Sequence, residues 1–119
     1  MTLPPERVLV SSYTDRFGRE IVLYEDTWYD HILDDHAEMA DQLDELELAI
    51  AHAERITQDQ SFASRQCYYR KGHLPWPYDR DYLKVVVELE DSSFGRPLRG
   101  VVVTAYPVEA IPRRETRIW

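Results

Sequence analysis

The run YLKVVVEL, Tyr82–Leu89, is short, rich in β-branched residues and interrupted by one lysine, which predicts a strand. Strand side chains alternate between faces, so Leu83, Val85, Val87 and Leu89 share one side while Tyr82, Lys84, Val86 and Glu88 share the other. The first set is wholly apolar and calls for a covering layer of helices. The run GVVVTAYPV, 100–108, repeats the pattern, with Val101, Val103 and Ala105 opposed to Val102, Thr104 and Tyr106. Laid beside each other, the two strands would present Tyr82, Lys84, Thr104 and Tyr106 on the second face. A third strand, RQCYYRK, 65–71, adds either Tyr68 and Arg70 or Tyr69 and Lys71, according to its parity. Aromatic rings beside cations and a hydroxyl suit stacked bases and a phosphate.

Working towards the N-terminus, RVLVSSY and REIVLYE flank TDRFG, whose Asp15 and Gly18 mark a hairpin turn between strands near 7–13 and 19–25. DTWYDHILDDH then offers Asp26 or Thr27 as an N-cap, with Asp30 at capping-box spacing from Thr27 and with Trp28, Ile32 and Leu33 on one side. The strongest helical pattern is DQLDELELAIAHAERI, where Leu43, Leu46, Ile50 and Ala53 recur on one stripe. Residues 57–63 read as a polar connection, GHLPWPYDRD as a loop and EDSSFGRPLR as a turn. The order is ββααβββ. It predicts an α+β fold over 1–119 as one domain: an N-terminal hairpin and two helices packed on an antiparallel sheet of three or more strands.

The formal charge of −8 counts against nucleic acid, because neutralisation of phosphates by lysine and arginine dominates that affinity. Its distribution matters more. Residues 1–60 hold 15 acids against 4 bases, a net of −11, whereas residues 61–119 hold 7 acids against 10 bases, a net of +3. An acidic helical face and a neutral-to-basic second half follow, and the second half tolerates an anionic ligand. One cysteine, Cys67, forms no internal disulfide, the start MTLPPERVLV lacks the order of a signal peptide, and no apolar run approaches bilayer length. A cytoplasmic protein away from membranes is expected.

His31 and His36 are five positions apart, about 140° around a continuous helix, which is wrong for sharing one ion. His52, His73 and Cys67 supply no paired ligand spacing, and nothing local marks Cys67 as an activated thiol, so neither a metal nor any other cofactor is expected. Acid–base chemistry remains: cleavage of RNA through its own 2′-hydroxyl needs a group that exchanges protons near neutrality and cations for the phosphate. His31 or His36 fits the first need, and Lys84 and Arg70 the second. Thr104 and Tyr69 would place the substrate, with Tyr68 and Tyr106 offering further contacts. Each also has a plain structural reading. His31 can pack beside Trp28, His36 can bond a backbone carbonyl, Lys84 can guard an edge strand, and Thr104 and Tyr106 are ordinary strand formers.

The succession DRFGREIVLYEDTWYDHILDDHAEM, CYYRK, YLKVVVEL, VVVTAYP and a terminal IW resembles the phage-associated nuclease-like family of the barnase, EndoU, colicin and RelE grouping. The resemblance covers roughly 13–119 in the same order. It implies a small α+β domain with metal-independent, toxin-like ribonuclease activity, and an antitoxin or immunity protein as a partner besides RNA. By position, His31 matches the family's His-Ile element, His36 and Glu38 its His-Pro-Glu element, Tyr68 and Tyr69 its Tyr-rich strand, and Thr104 and Tyr106 its Thr-Ala-Tyr strand. Ala37 departs from the pattern, where the family has proline. That loss removes a preset first helical turn but no reactive group. A non-catalytic binding or regulatory domain of the same fold, recognising a protein through the acidic helix, is the alternative.

Overall fold

In the computed structural model, which describes residues 7–90 and 99–119, the strand runs pair as their composition demands. β1 (Leu9–Thr14) and β2 (Glu20–Tyr24) form the first hairpin. Its turn is built by Asp15, whose Oδ1 accepts from the backbone N–H groups of Phe17 and Arg19, and by Gly18 at φ +79°. β3 (Arg55–Gln58), β4 (Arg65–Lys71), β5 (Tyr82–Leu89) and β6 (Arg99–Val108) complete one sheet in the order β1-β2-β6-β5-β4-β3. The fold is α+β, with two corrections to the expected order. β3 is an additional strand, and the sheet is mixed, because β2 and β6 run parallel over Glu20–Val22 and Arg99–Val101. The expected turn over EDSSFGRPLR lies, at 91–98, outside the described residues.

α1 (Glu25–Thr27), a π-helical turn (Trp28–Ile32) and α2 (Leu33–Asp35) run on as one helical segment, followed by a 3-10 turn (Ala37–Met39) and α3 (Leu43–Ala51). The segment starts at Glu25, with Tyr24 in the capping position and no side-chain cap; Asp26 instead pairs with Arg7 at 2.8 Å. α3 ends earlier than its hydrophobic stripe suggests. His52 leaves helical geometry at φ −129°, and Ile56 and Thr57, both β-branched, pair with Tyr68 and Cys67 of β4. Tertiary pairing outweighs the weak helical preference there.

The helices cover one face of the sheet. Trp28, Ile32, Met39, Leu46, Ala49 and Ile50 bury themselves against Ile21, Leu23, Ile56, Tyr68, Leu83, Val85, Val87, Val102 and Ala105. Each fully buried large apolar side chain contributes about 1.5–3 kcal/mol over its exposed state. β5 keeps the alternation read from its sequence. β6 does not, since Val86 pairs with Thr104 but Val87 with Val102, leaving Val103 as an extra, bulged residue. The bulge turns Val102 into the helix-covered core with Ala105 and leaves Val103 packed on the second face.

That second face is partly closed by residues 109–119. Ile111 packs over Cys67, Tyr69 and Val86. Beyond it the chain pairs with β3: Gln58 N–H donates to Thr116 O at 2.8 Å, Ile118 N–H to Ile56 O at 2.8 Å, and Thr57 bridges Arg117. An edge strand that would otherwise offer free backbone groups is thereby covered. Among the described residues no helix is long and apolar enough to cross a membrane.

Candidate functional site

Parity in β4 divides the tyrosines. Tyr68 pairs with Val85 and faces the helices, while Tyr69 pairs with Lys84 on the second face. Of the two alternatives read from RQCYYRK, Tyr69 and Lys71 therefore accompany Lys84. Tyr68 and Arg70 do not. Tyr68 is fully buried, its hydroxyl donating to Asp15 Oδ2 at 2.5 Å and accepting from Arg19 Nη2 at 2.9 Å. Arg19 also bonds Asp15 Oδ2 at 2.8 Å and Gln66 at 2.8 Å, so this cluster pins the hairpin turn to β4. Arg70 pairs with Leu83, on the same covered side. Neither is placed to bind a ligand beside Lys84.

The second face carries three rings and two ammonium groups. Tyr69 and Tyr82 meet edge to face at 6.3 Å, Lys71 Nζ lies 5.3 Å over the Tyr82 ring, and Lys84 Nζ lies 5.6 Å from the Tyr69 centroid and 6.0 Å from that of Tyr106. Thr104, paired with Val86, stands two positions before Tyr106 on that face. One histidine reaches it. His36 follows α2 at φ −136°, off the helical path, and its ring stacks on Tyr106 with centroids 4.8 Å apart and planes 21° apart. Its Nδ1 is 3.6 Å from Glu38 Oε1, which leaves Nε2 as the nitrogen not engaged by that carboxylate. The helical segment thus wraps the edge of β6 and delivers an imidazole to the rim of the polar face.

His31 is not brought there. In the π-helical turn Trp28 and Ile32 take the buried positions, so His31 is half exposed and sits 3.3 Å from Asp35. His52 and His73 are exposed as well, and among the described residues no three histidine, cysteine or carboxylate side chains group as ion ligands.

No family model matches this chain, and neither does any curated protein or solved structure.

Sequence reasoning missed the residue that binds Lys84. Glu115, in the neutral-to-basic second half, sends its carboxylate under the second face, where Oε2 accepts from Lys84 Nζ at 3.1 Å and Oε1 accepts from Thr57 Oγ1 at 2.7 Å and from the Tyr69 hydroxyl. The side chains of Lys84 and Glu115 are 11% and 3% exposed. A buried charge needs such a partner, and here three donors serve one carboxylate. Burial disfavours the Lys84 ammonium, yet charge on Cys67, the Glu115 bond and Tyr106 favour it, and the net direction is upward. Burial also pushes the Cys67 thiol up to about 11, so it remains uncharged near neutrality and Glu115 is the partner that acts there. Burial first, and then donation to Glu115, raise Tyr69. Cys67 lies under this cluster with Asp59 Oδ1 at 3.8 Å, in surroundings opposite to those of an activated nucleophile.

Proposed function

We propose that this chain is a metal-independent, toxin-like endoribonuclease whose site is the second face of the sheet at the His36 rim. The observation that carries the reading is the His36–Tyr106 stack, because it sets a titratable imidazole 4.8 Å from a ring that also has the Lys84 ammonium 6.0 Å from its centroid. In this reading the partly exposed rings of Tyr82 and Tyr106 offer flat surfaces to bases, Lys84 offers a positive charge to the phosphodiester, and Thr104 places the ribose, while Tyr69, fully buried beneath Ile111, has no ring face free for a base. His36, whose Nδ1 faces Glu38 Oε1 at 3.6 Å, handles through Nε2 one of the two proton transfers, removal from the attacking 2′-hydroxyl or delivery to the departing 5′-oxygen, and water handles the other. The bond from phosphorus to the 5′-oxygen breaks as that to the 2′-oxygen forms, which leaves a cyclic phosphate.

The negative formal charge is less of an obstacle than its total suggests. Asp44 and Glu47 of α3 are exposed on the covering layer, whose inner side rests on the face opposite Lys84, so these acids project away from the proposed site. The same acidic layer would meet a basic protein, in keeping with an antitoxin or immunity partner in the cytoplasm.

Incubation of a mixed RNA pool with purified protein in excess chelator tests the reading. Cleavage products ending in cyclic phosphate are the expected result, with activity falling about 10²–10⁴-fold in His36→Ala. RNA left intact by folded protein would remove the catalytic proposal. The second reading, a regulatory domain that keeps the fold without turnover, is favoured by one observation: Lys84 is already neutralised by Glu115.

A further inference from the structure

Glu115 occupies the position an anionic ligand would need. Thr57 comes from β3, Tyr69 from β4 and Lys84 from β5, and these three neighbouring strands aim a hydroxyl, a phenol and an ammonium at one pair of oxygens. Such a set of donors matches two oxygens of a phosphodiester as well as it matches a carboxylate. Lys84 is 9% exposed and bonded to Glu115, whose segment also packs Ile111 on the adjacent Cys67, Tyr69 and Val86. Phosphate therefore reaches the ammonium only if that carboxylate leaves.

The segment is held at both ends of its crossing. Ile111 packs on Cys67, Tyr69 and Val86, and at the far end Arg16 stacks its guanidinium 3.9 Å over the Trp119 ring while its Nε donates to Ala53 O at 2.8 Å. Between these anchors the residues around Glu115 are poorly covered: Arg113, Arg114, Thr116 and Arg117 are exposed. Next to Glu115 a single backbone bond, Gln58 N–H to Thr116 O, holds the segment to β3, whereas the three bonds made by Ile56 all lie at the far end, with Ile118 and Trp119; the bond nearest the carboxylate is available to water once that carboxylate is released.

We propose that Thr57, Tyr69 and Lys84 form a phosphodiester-binding cradle for RNA that Glu115 keeps shut, the 109–119 segment acting as a strap that lifts when the RNA backbone replaces its carboxylate. The inference rests on reading this face as the RNA site. Arginines 113, 114 and 117, which flank Glu115, supply the first attraction for the polyanion, and the strap then exchanges one anion for another over Lys84.

The test measures binding separately from cleavage. A short labelled single-stranded RNA is titrated by fluorescence anisotropy against His36→Ala and against the His36→Ala/Glu115→Gln double variant, at several salt concentrations, with folding checked by circular dichroism. Glutamine keeps an acceptor for Thr57 and Tyr69 but frees the charge of Lys84. Tighter binding by about 10-fold is expected, with the slope of log affinity against log salt steeper by about 0.7 for the one added phosphate contact. Adding Lys84→Ala should cancel the gain. Trp119→Ala loosens the strap from its far anchor without touching the cradle, and a smaller gain in affinity is expected there, which decides the matter if the glutamine variant fails to fold. Unchanged or weaker binding in folded Glu115→Gln or Trp119→Ala protein overturns the cradle while leaving RNA cleavage by the unaltered chain untouched. A gain in affinity with no cleavage by the unaltered chain supports the cradle and removes the nuclease.

Discussion

The ring of His36 lies parallel to that of Tyr106, 4.8 Å between centroids and 21° between planes, although one belongs to a turn after the helical segment and the other to a strand. The stack fixes the imidazole plane from one side, and the Glu38 carboxylate faces Nδ1 at 3.6 Å. Position and the proposed proton transfer are thus separable in this residue, which allows a direct comparison.

His36→Phe keeps a flat ring on Tyr106 and removes the titratable nitrogens. Its RNA cleavage should fall as far as that of His36→Ala, about 10²–10⁴-fold, while its thermal midpoint stays nearer that of the unaltered chain. His31→Ala should cleave normally and unfold within about 0.5 kcal/mol of the unaltered chain, since His31 is half exposed and its partner Asp35 is exposed too. Equal loss of cleavage in His31→Ala would shift the site to the outer side of the π-helical turn.

Tyr68 belongs to the architecture. Its hydroxyl links Asp15 and Arg19, and Tyr68→Phe leaves a buried carboxylate and guanidinium with one partner fewer. A loss of about 1–3 kcal/mol in urea unfolding is expected, with cleavage per folded molecule unchanged. A drop in cleavage at full stability would mean that Tyr68 reaches the substrate after all.

Much of this arrangement was legible in the chain because period-two alternation survives in β5 and β4, where each residue's face follows from its neighbour's. Tyr82 and Lys84 fell on one side for that reason, and Thr104 and Tyr106 joined them because both lie beyond the bulge, where β6 is back in step with β5. The bulge at Val103 was not legible, since Val101 to Val103 are chemically alike and only pairing with Val86 and Val87 decides which of them is extra. β3 was hidden by its own sequence: Ala53 and Ile56 continue the stripe of α3, and a strand forms there only because β4 and residues 116–119 flank it. Glu115 left no local trace at all. Its partners Thr57, Tyr69 and Lys84 are distant in sequence, and its neighbours are arginines that suggest a solvated basic segment.

Stability should fall on the alkaline side. The folded-state Cys67 holds its proton to about 11 against 9.0 for the ordinary thiol, so between these values the unfolded chain loses a proton that the folded chain keeps, and unfolding gains. Lys84 acts in the same sense: its pKa is raised above 10.5, so its contribution is complete below that value and is lost as pH rises through the folded one. Urea midpoints should decline above about pH 9, and Cys67→Ala should flatten the decline between 9.0 and about 11 without removing the part due to Lys84. A thiol reagent near pH 8 should label the folded protein only at the rate at which Cys67 becomes exposed, because the group is fully buried. Fast labelling of folded protein would show that the strap already opens without ligand.

Of the described glycines, Gly100 is the one with no room for a side chain. A Cβ there would stand 2.6 Å from Val87 Cγ1, 3.0 Å from Ile21 Cδ1 and 3.2 Å from the carbonyl oxygen of Glu88. Val87 is β-branched and fully buried, with restricted side-chain rotation, and the carbonyl belongs to the neighbouring strand, so neither neighbour yields cheaply. Gly100→Ala should therefore cost about 1–3 kcal/mol in urea unfolding. The strain would fall where β6 joins both the parallel β2 and the antiparallel β5, upstream of the Val103 bulge, and a displacement of β6 away from Val87 would relieve it. Such a shift would carry Thr104 and Tyr106 with it and loosen the His36 stack, so cleavage per folded molecule should fall as well. A destabilised variant that cleaves normally would show that the bulge isolates the site from the start of the strand.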